Sequence, residues 1–326
     1  MHPLSNSHAE RGAARWQLPR FILLALLLLV DLGLRAQETQ TLHVTAKLVE
    51  VSAVVTDKQG VPRTDLTKDD FILKQDGKEQ SIRYFSQGDE LPLTFIVMID
   101  TSTSQRTFLD DEQRACDVFF QTIMGRPQDR AALVEVNAKI AGRSELTNDP
   151  NRLHLALTGL RYDPAAGGAT RLNDAIYALS KSVLATVRGR KAIILISDGG
   201  DNGSSTRLED AIGEAQRDNV PIYAVSYSAW SGLDPVPTGG PRPTRDPGMA
   251  NLNQWAGATG GHVYQVSRGT TLRHIFEDIA AELRSQYEIG YTLPTDTSAR
   301  QFHKLELKPK DKSLRVQARS GFLVAP

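Results

Sequence analysis

Between residues 91 and 286 the chain alternates short, mostly apolar runs with amphipathic helical patterns, and this alternation restricts the fold more than any other feature. Leu93 to Ile99 is nearly all apolar, as is "KAIILIS" at 191–197. Runs of this kind form strands buried on both faces. "AALVEVNA", "PIYAVSY" and "GHVYQV" supply further strands. Helical periods lie between them, at about 108–123, in "DPNRLHLALTGL", in "TRLNDAIYALSKSVLATV", in "RLEDAIGEAQRDN", in "NLNQWAGAT" and in "TLRHIFEDIAAELRSQ". Asp149-Pro150 suits an N-cap followed by the first helical residue. Strands alternating with helices throughout predict βαβ units and a doubly wound, mainly parallel sheet.

The segments on either side change period. Residues 41–90 read as β, with an alternating run "HVTAKLVEVSAVVTD" whose phase changes near Leu48 and Val49, as a bulge would cause. "FILKQDGKEQSIRYF" is two strands around an Asp76-Gly77 turn. Residues 287–326 return to β in "YEIGYTL", "HKLELKPK" and "LRVQARSGFLV". Neither flank has enough strands to stand alone, so the two are expected to pair as a small β-sandwich around the inserted α/β domain. The rival arrangement is two separate β appendages. "SAWSGLDPVPTGGPRPTRDPGM", from Ser228 to Met249, is crowded with Pro and Gly and reads as a long surface loop.

Residues 1–36 have the layout of a secretory signal peptide: Arg11, Arg15 and Arg20, then the apolar run Phe21 to Val30, then a cleavage position after Ala36. Leu34 at the −3 position keeps an uncleaved signal anchor as the alternative. In that case membrane contact is through this segment alone. Either way the remainder faces an extracytoplasmic space: periplasm, envelope or medium. The single cysteine, Cys116, excludes an internal disulfide framework and reads as a small buried hydrophobe. A formal net charge of +0 and the lack of a basic stripe exclude a nucleic-acid partner.

In a doubly wound sheet, ligands bind beyond the carboxyl ends of the strands. Asp100 ends the first apolar strand there, and Ser102 and Ser104 follow at alternate positions. In an extended loop such spacing places three oxygen-bearing side chains on one side. Thr170 sits at the mouth of a helix after Gly167-Gly168, and Asp198 directly follows "KAIILIS". Carboxylates with hydroxyls are hard ligands that favour Mg²⁺ or Ca²⁺ over zinc. Taken singly, each has a plainer reading as a turn or helix cap. Asp201 and Asn202 nearby read as loop polar residues, with tuning of the site as the alternative.

The set Asp100-x-Ser102-x-Ser104, Thr170 in "GGATRL" and Asp198 in "ISDG" resembles the metal-ion-dependent adhesion site of the von Willebrand factor type A domain family. The resemblance covers roughly residues 91–286, and all five motif positions are filled. "VVTDKQG", "DFILKQDGKEQSI" and "QYEIGYTLP" extend the similarity to exported bacterial relatives of the acidobacterial type. The resemblance implies that Asp100, Ser102, Ser104, Thr170 and Asp198 hold a divalent cation, Mg²⁺ with Mn²⁺ or Ca²⁺ as alternatives. It also implies that a protein partner presenting Asp or Glu completes the coordination. The last helix, near 271–286, resembles one that shifts on ligand binding in some relatives.

Competing functions differ in their requirements. An aspartyl phosphatase would need a carboxylate where Ser102 stands. The chain has no G-x-G-x-x-G, no P-loop, no G-x-S-x-G elbow and no H-E-x-x-H pair. His262 and His274 read as structural or surface residues. No catalytic constellation emerges, so the expectation is a binding module. A Mg²⁺-dependent hydrolase and a structural envelope scaffold with a metal-stabilised crest are the alternatives.

Overall fold

The computed structural model describes residues 47–87, 91–164, 168–226 and 247–324. The expected signal segment 1–36 lies outside the described residues, as does the Ser228–Met249 loop up to residue 246. Four strands come first: β1 (Leu48–Thr56), β2 (Phe71–Gln75), β3 (Lys78–Gln80) and β4 (Ile82–Gln87). Six follow in the middle: β5 (Leu93–Asp100), β6 (Arg130–Val136), β7 (Ile140–Gly142), β8 (Arg190–Ser197), β9 (Ile222–Ser226) and β10 (Val263–Gln265). The last four are β11 (Tyr287–Thr292), β12 (Phe302–Pro309), β13 (Arg315–Ala318) and β14 (Gly321–Leu323).

The central sheet has the order β10-β9-β8-β5-β6-β7 and is parallel except for the edge strand β7. The fold class expected from the sequence is thus the one observed: a doubly wound, Rossmann-like α/β fold with a mainly parallel central sheet and flanking antiparallel sheets. The apolar strands are explained by burial on two sides. Phe95, Val97 and Ile99 face a core closed by the helices Leu109–Ile123, Pro150–Thr158 and Leu272–Ser285. Ile96 and Met98 face a second core against Leu172–Ala178, Leu208–Arg217 and Pro247–Thr259. Cys116 is fully buried in the first core. Asp149 caps its helix, its side chain accepting from Asn151 N at 2.9 Å.

The flanking strands make two antiparallel sheets, β13-β1-β11-β4 and β14-β12-β2-β3. In the first, strands from before and after the α/β region alternate; in the second, the pair β14-β12 from after it joins the pair β2-β3 from before it. They enclose a third core that includes Val51, Val55, Leu73, Tyr287 and Ile289. The register of β1 against β11 runs unbroken from Leu48 to Ala53, so the bulge expected near Leu48 and Val49 is absent; the irregularity falls between Gly290 and Tyr291, where β11 meets β4.

A second local difference concerns "TRLNDAIYALSKSVLATV". The α-helix ends at Ala178, widens into a π turn over Leu179–Val183 and tightens into a 3₁₀ turn over Leu184–Thr186. Among the described residues no helix is long and apolar enough to cross a membrane.

Candidate metal centre

The winding of the central sheet creates the site. From β5 the chain moves to β6 on one side, then returns to place β8 on the other side. The connections therefore diverge above β5 and β8, leaving a crevice at their carboxyl ends. Asp100 is the last residue of β5, and Asp198 follows the last residue of β8.

Asp100 is completely buried and firmly oriented. Its Oδ1 accepts from Ser102 N at 2.9 Å, and its Oδ2 accepts from Ser197 Oγ at 2.6 Å. Ser197 Oγ also accepts from Gly199 N at 2.9 Å, so one hydroxyl bridges both aspartate-bearing strand ends. Burial pushes the Asp100 carboxyl up to about 6; the bonds from Ser197 and Ser102 oppose that rise, and the charge of Asp198 adds to it.

Ser102 is extended (φ −64°, ψ 170°), but Thr103–Gln105 form a 3₁₀ turn rather than the fully extended loop expected from the spacing. The turn still points both hydroxyls to one place: Ser102 Oγ and Ser104 Oγ are 3.2 Å apart. Thr101 is turned the other way. Its hydroxyl donates to Glu135 Oε1 at 2.7 Å and accepts from Asn137 Nδ2 at 3.0 Å, and Arg143 pairs with the same Glu135. This network anchors the loop from the opposite face.

Thr170 is buried, and it joins the crest through its backbone. Asn202 makes the link: its Oδ1 accepts from Thr170 N at 2.8 Å and its Nδ2 donates to Gly168 O at 3.0 Å. Thr170 O in turn accepts from Asn202 N and Gly203 N. Asp201 Oδ2 accepts from Asn173 N at 2.7 Å and from Ser204 Oγ at 2.9 Å, which fixes the helix start beside Thr170. Asn202 and Asp201 are thus structural ties between two site loops, more than the solvated loop residues their sequence context indicated.

The Asp198 loop is also pinned from behind. Gly199 has φ +82°, and a Cβ there would lie 2.2 Å from Gly248 O. Asn251 Nδ2 donates to Gly199 O at 2.9 Å. Gly200 N donates to Asp198 Oδ1 at 3.0 Å.

The donor set fits a hard divalent cation: two carboxylates in mutual repulsion, with two hydroxyls converging in a crevice. Among the described residues no group of three or more His, Cys, Asp or Glu could hold a metal ion. Sequence reasoning missed Ser197, Gln105 and Glu112. The signal for Ser197 was a polar residue ending an otherwise apolar strand beside Asp198. Glu112 and Gln105 gave no such signal, because neither their burial nor their lack of partners can be read locally.

The family model of the von Willebrand factor type A domain matches residues 95–278, over half of the chain. No curated protein matches. Among solved structures, an aerotolerance-related membrane protein from Bacteroides fragilis is 15% identical with a TM-score of 0.47, over 59% of this chain and 98% of that one. The conserved hypothetical protein BatB from Bacteroides thetaiotaomicron is 16% identical with a TM-score of 0.47, over 59% of this chain and 100% of that one. Proximal thread matrix protein 1 from the mussel byssus, with a zinc-occupied MIDAS motif, is 16% identical with a TM-score of 0.47, over 64% of this chain and 50% of that one.

Proposed function

The chain belongs to the von Willebrand factor type A domain family, and from that premise we propose that it is an exported, metal-dependent protein-binding module. Domains of this family are typically metal-dependent interaction modules. The residues that would hold the metal are Asp100, Ser102, Ser104, Thr170 and Asp198, with Mg²⁺ as the resident ion. The observation that carries the reading is the convergence of the Ser102 and Ser104 hydroxyls, 3.2 Å apart, beside a buried and fixed Asp100 at the switch point of the sheet.

Bound there, a divalent cation would supply a Lewis-acidic vertex for an incoming carboxylate. The chain's part is to orient the donors before the partner arrives. Ser197 fixes Asp100, Asn202 fixes the Thr170 loop, and Gly199 seats the Asp198 loop against Gly248. The expected partner is a protein presenting Asp or Glu at the crest. Export and an extracytoplasmic setting rest on the signal-like segment at residues 1–36.

Water-proton relaxation with Mn²⁺ as the probe tests this reading. The wild-type protein should enhance relaxation, and added acetate should reduce the enhancement by displacing an exchangeable water. No enhancement, or one indifferent to carboxylate, would contradict it.

A further inference from the structure

Glu112 lies one turn into the helix Leu109–Ile123, on the face it turns to the sheet, and it is completely buried. Neither of its carboxylate oxygens has a hydrogen-bond partner. Gln105, in the 3₁₀ turn that carries Ser104, is 1% exposed, and neither its Oε1 nor its Nε2 has a partner. Ten buried side-chain atoms are unpartnered among the described residues, and four belong to these two residues. Native folds pair their buried polar atoms with protein or with ordered water, so such a concentration needs a reason.

The position of Glu112 supplies one. Burial pushes its carboxyl well up, and the charges of Asp100, Asp111 and Asp198 push it further the same way. Two of those three are the carboxylates of the candidate centre. Phe108 N donates to Gln105 O at 3.0 Å and Glu112 N donates to Phe108 O at 3.0 Å, so backbone bonds tie the buried Glu112 directly to the turn that carries Ser104, while it stays closed to any partner or substrate. An apolar residue would serve the packing better: the next inward positions, Cys116, Phe119 and Phe120, are all hydrophobic. A buried carboxyl in the field of two others is unfavourable for the protein alone and becomes favourable beside a cation.

We propose that Glu112, together with Gln105, forms a second polar layer behind the crest that helps hold the divalent cation through ordered water. The inference rests on the metal-centre reading above and deepens it. Glu112 is a positioning residue and does not touch the ion. The Gln105 amide can donate to the bridging water and accept from it, as its two free atoms require.

The test compares Mg²⁺ binding by calorimetry in wild type, Glu112→Gln, Glu112→Met and Asp100→Ala, with metal-free melting temperatures measured alongside. Glu112→Gln keeps the shape and removes the charge; Glu112→Met keeps the bulk and removes all polarity. Both should melt at or above the wild-type temperature without metal. Both should bind Mg²⁺ about 10- to 100-fold more weakly, the usual cost of losing a residue behind the ligands. Asp100→Ala should abolish binding. Wild-type affinity in both Glu112 variants, with binding lost in Asp100→Ala, would overturn this inference and leave the metal centre standing. No binding by the wild type itself would overturn both.

Discussion

Ser197 Oγ donates to Asp100 Oδ2 across 2.6 Å, joining the ends of the two central strands from which the candidate centre is built. The same oxygen accepts from Gly199 N, so a single hydroxyl sets the relation between the Asp100 and Asp198 loops. Replacing Ser197 with Ala should cost about 1–3 kcal/mol of stability, because a buried carboxylate oxygen loses its donor. Mg²⁺ affinity should fall about 10-fold or more. Urea unfolding and calorimetry measure both.

The same bond bears on pH. The Asp100 carboxyl stands at about 6, raised by burial, and it must be ionised to hold a cation. Mg²⁺ affinity should therefore fall as pH drops through about 6. In Ser197→Ala the opposing hydrogen bond is gone, so the midpoint should move to higher pH. A midpoint unchanged by the substitution in a pH series of titrations would contradict this account of Asp100.

Gly199→Ala should be severely destabilising. The residue has φ +82°, and its new methyl would meet the backbone of Gly248 at 2.2 Å. Left-handed strain and backbone overlap together should cost about 3 kcal/mol or more. Gly168→Ala, on the neighbouring loop with nothing within 4 Å of its Cβ, is the control and should be nearly neutral. Urea midpoints of the two variants compare them directly.

Asn202→Ala removes both side-chain ties between the Thr170 and Asp198 loops. Stability should drop by about 1–2 kcal/mol. Mg²⁺ binding should weaken without being lost, since no proposed ligand is removed. A thermal-shift series with and without Mg²⁺ reads both effects.

Glu288 predicts a separate pH effect in the flanking sheets. It is fully buried, accepts from Ser52 Oγ at 2.5 Å, and faces Asn219, Glu50, Arg190 and Arg319. Burial pushes its carboxyl from 4.5 up to about 7, with Glu50 adding and the Ser52 bond and both arginines opposing. Between those values the folded state binds more protons than the unfolded one, so this group's contribution to stability falls as pH rises. At 1.36 kcal/mol per pKa unit the loss amounts to about 3 kcal/mol by neutral pH. Glu288→Gln cannot ionise, so its advantage over wild type should grow from pH 5 to pH 8 in thermal melts.

Much of the fold was legible because two-sided burial writes itself into sequence. β5 and β8 are buried at every position and carry the unbroken apolar runs Phe95–Ile99 and Ala192–Ile196, and that pointed to a parallel sheet covered by helices on both faces. The strand-end positions of Asp100 and Asp198 followed from the same rule. What was not legible depends on distant partners. Nothing local in β1 says that it lies between β13 and β11. The 3₁₀ turn at Thr103–Gln105 and the π turn after Ala178 depend on how the crest and helix pack. Ser197, Asn202 and Glu112 are ordinary polar residues in sequence, and only tertiary contact, or its absence, distinguishes them.

The most direct test of the central claim is Mg²⁺ calorimetry on wild type and Asp100→Ala at pH 7.5, where Asp100 is ionised. One ion per chain bound by the wild type and none by the variant is the predicted result. Equal binding by the two proteins, or none by either, would contradict a metal centre at the crest.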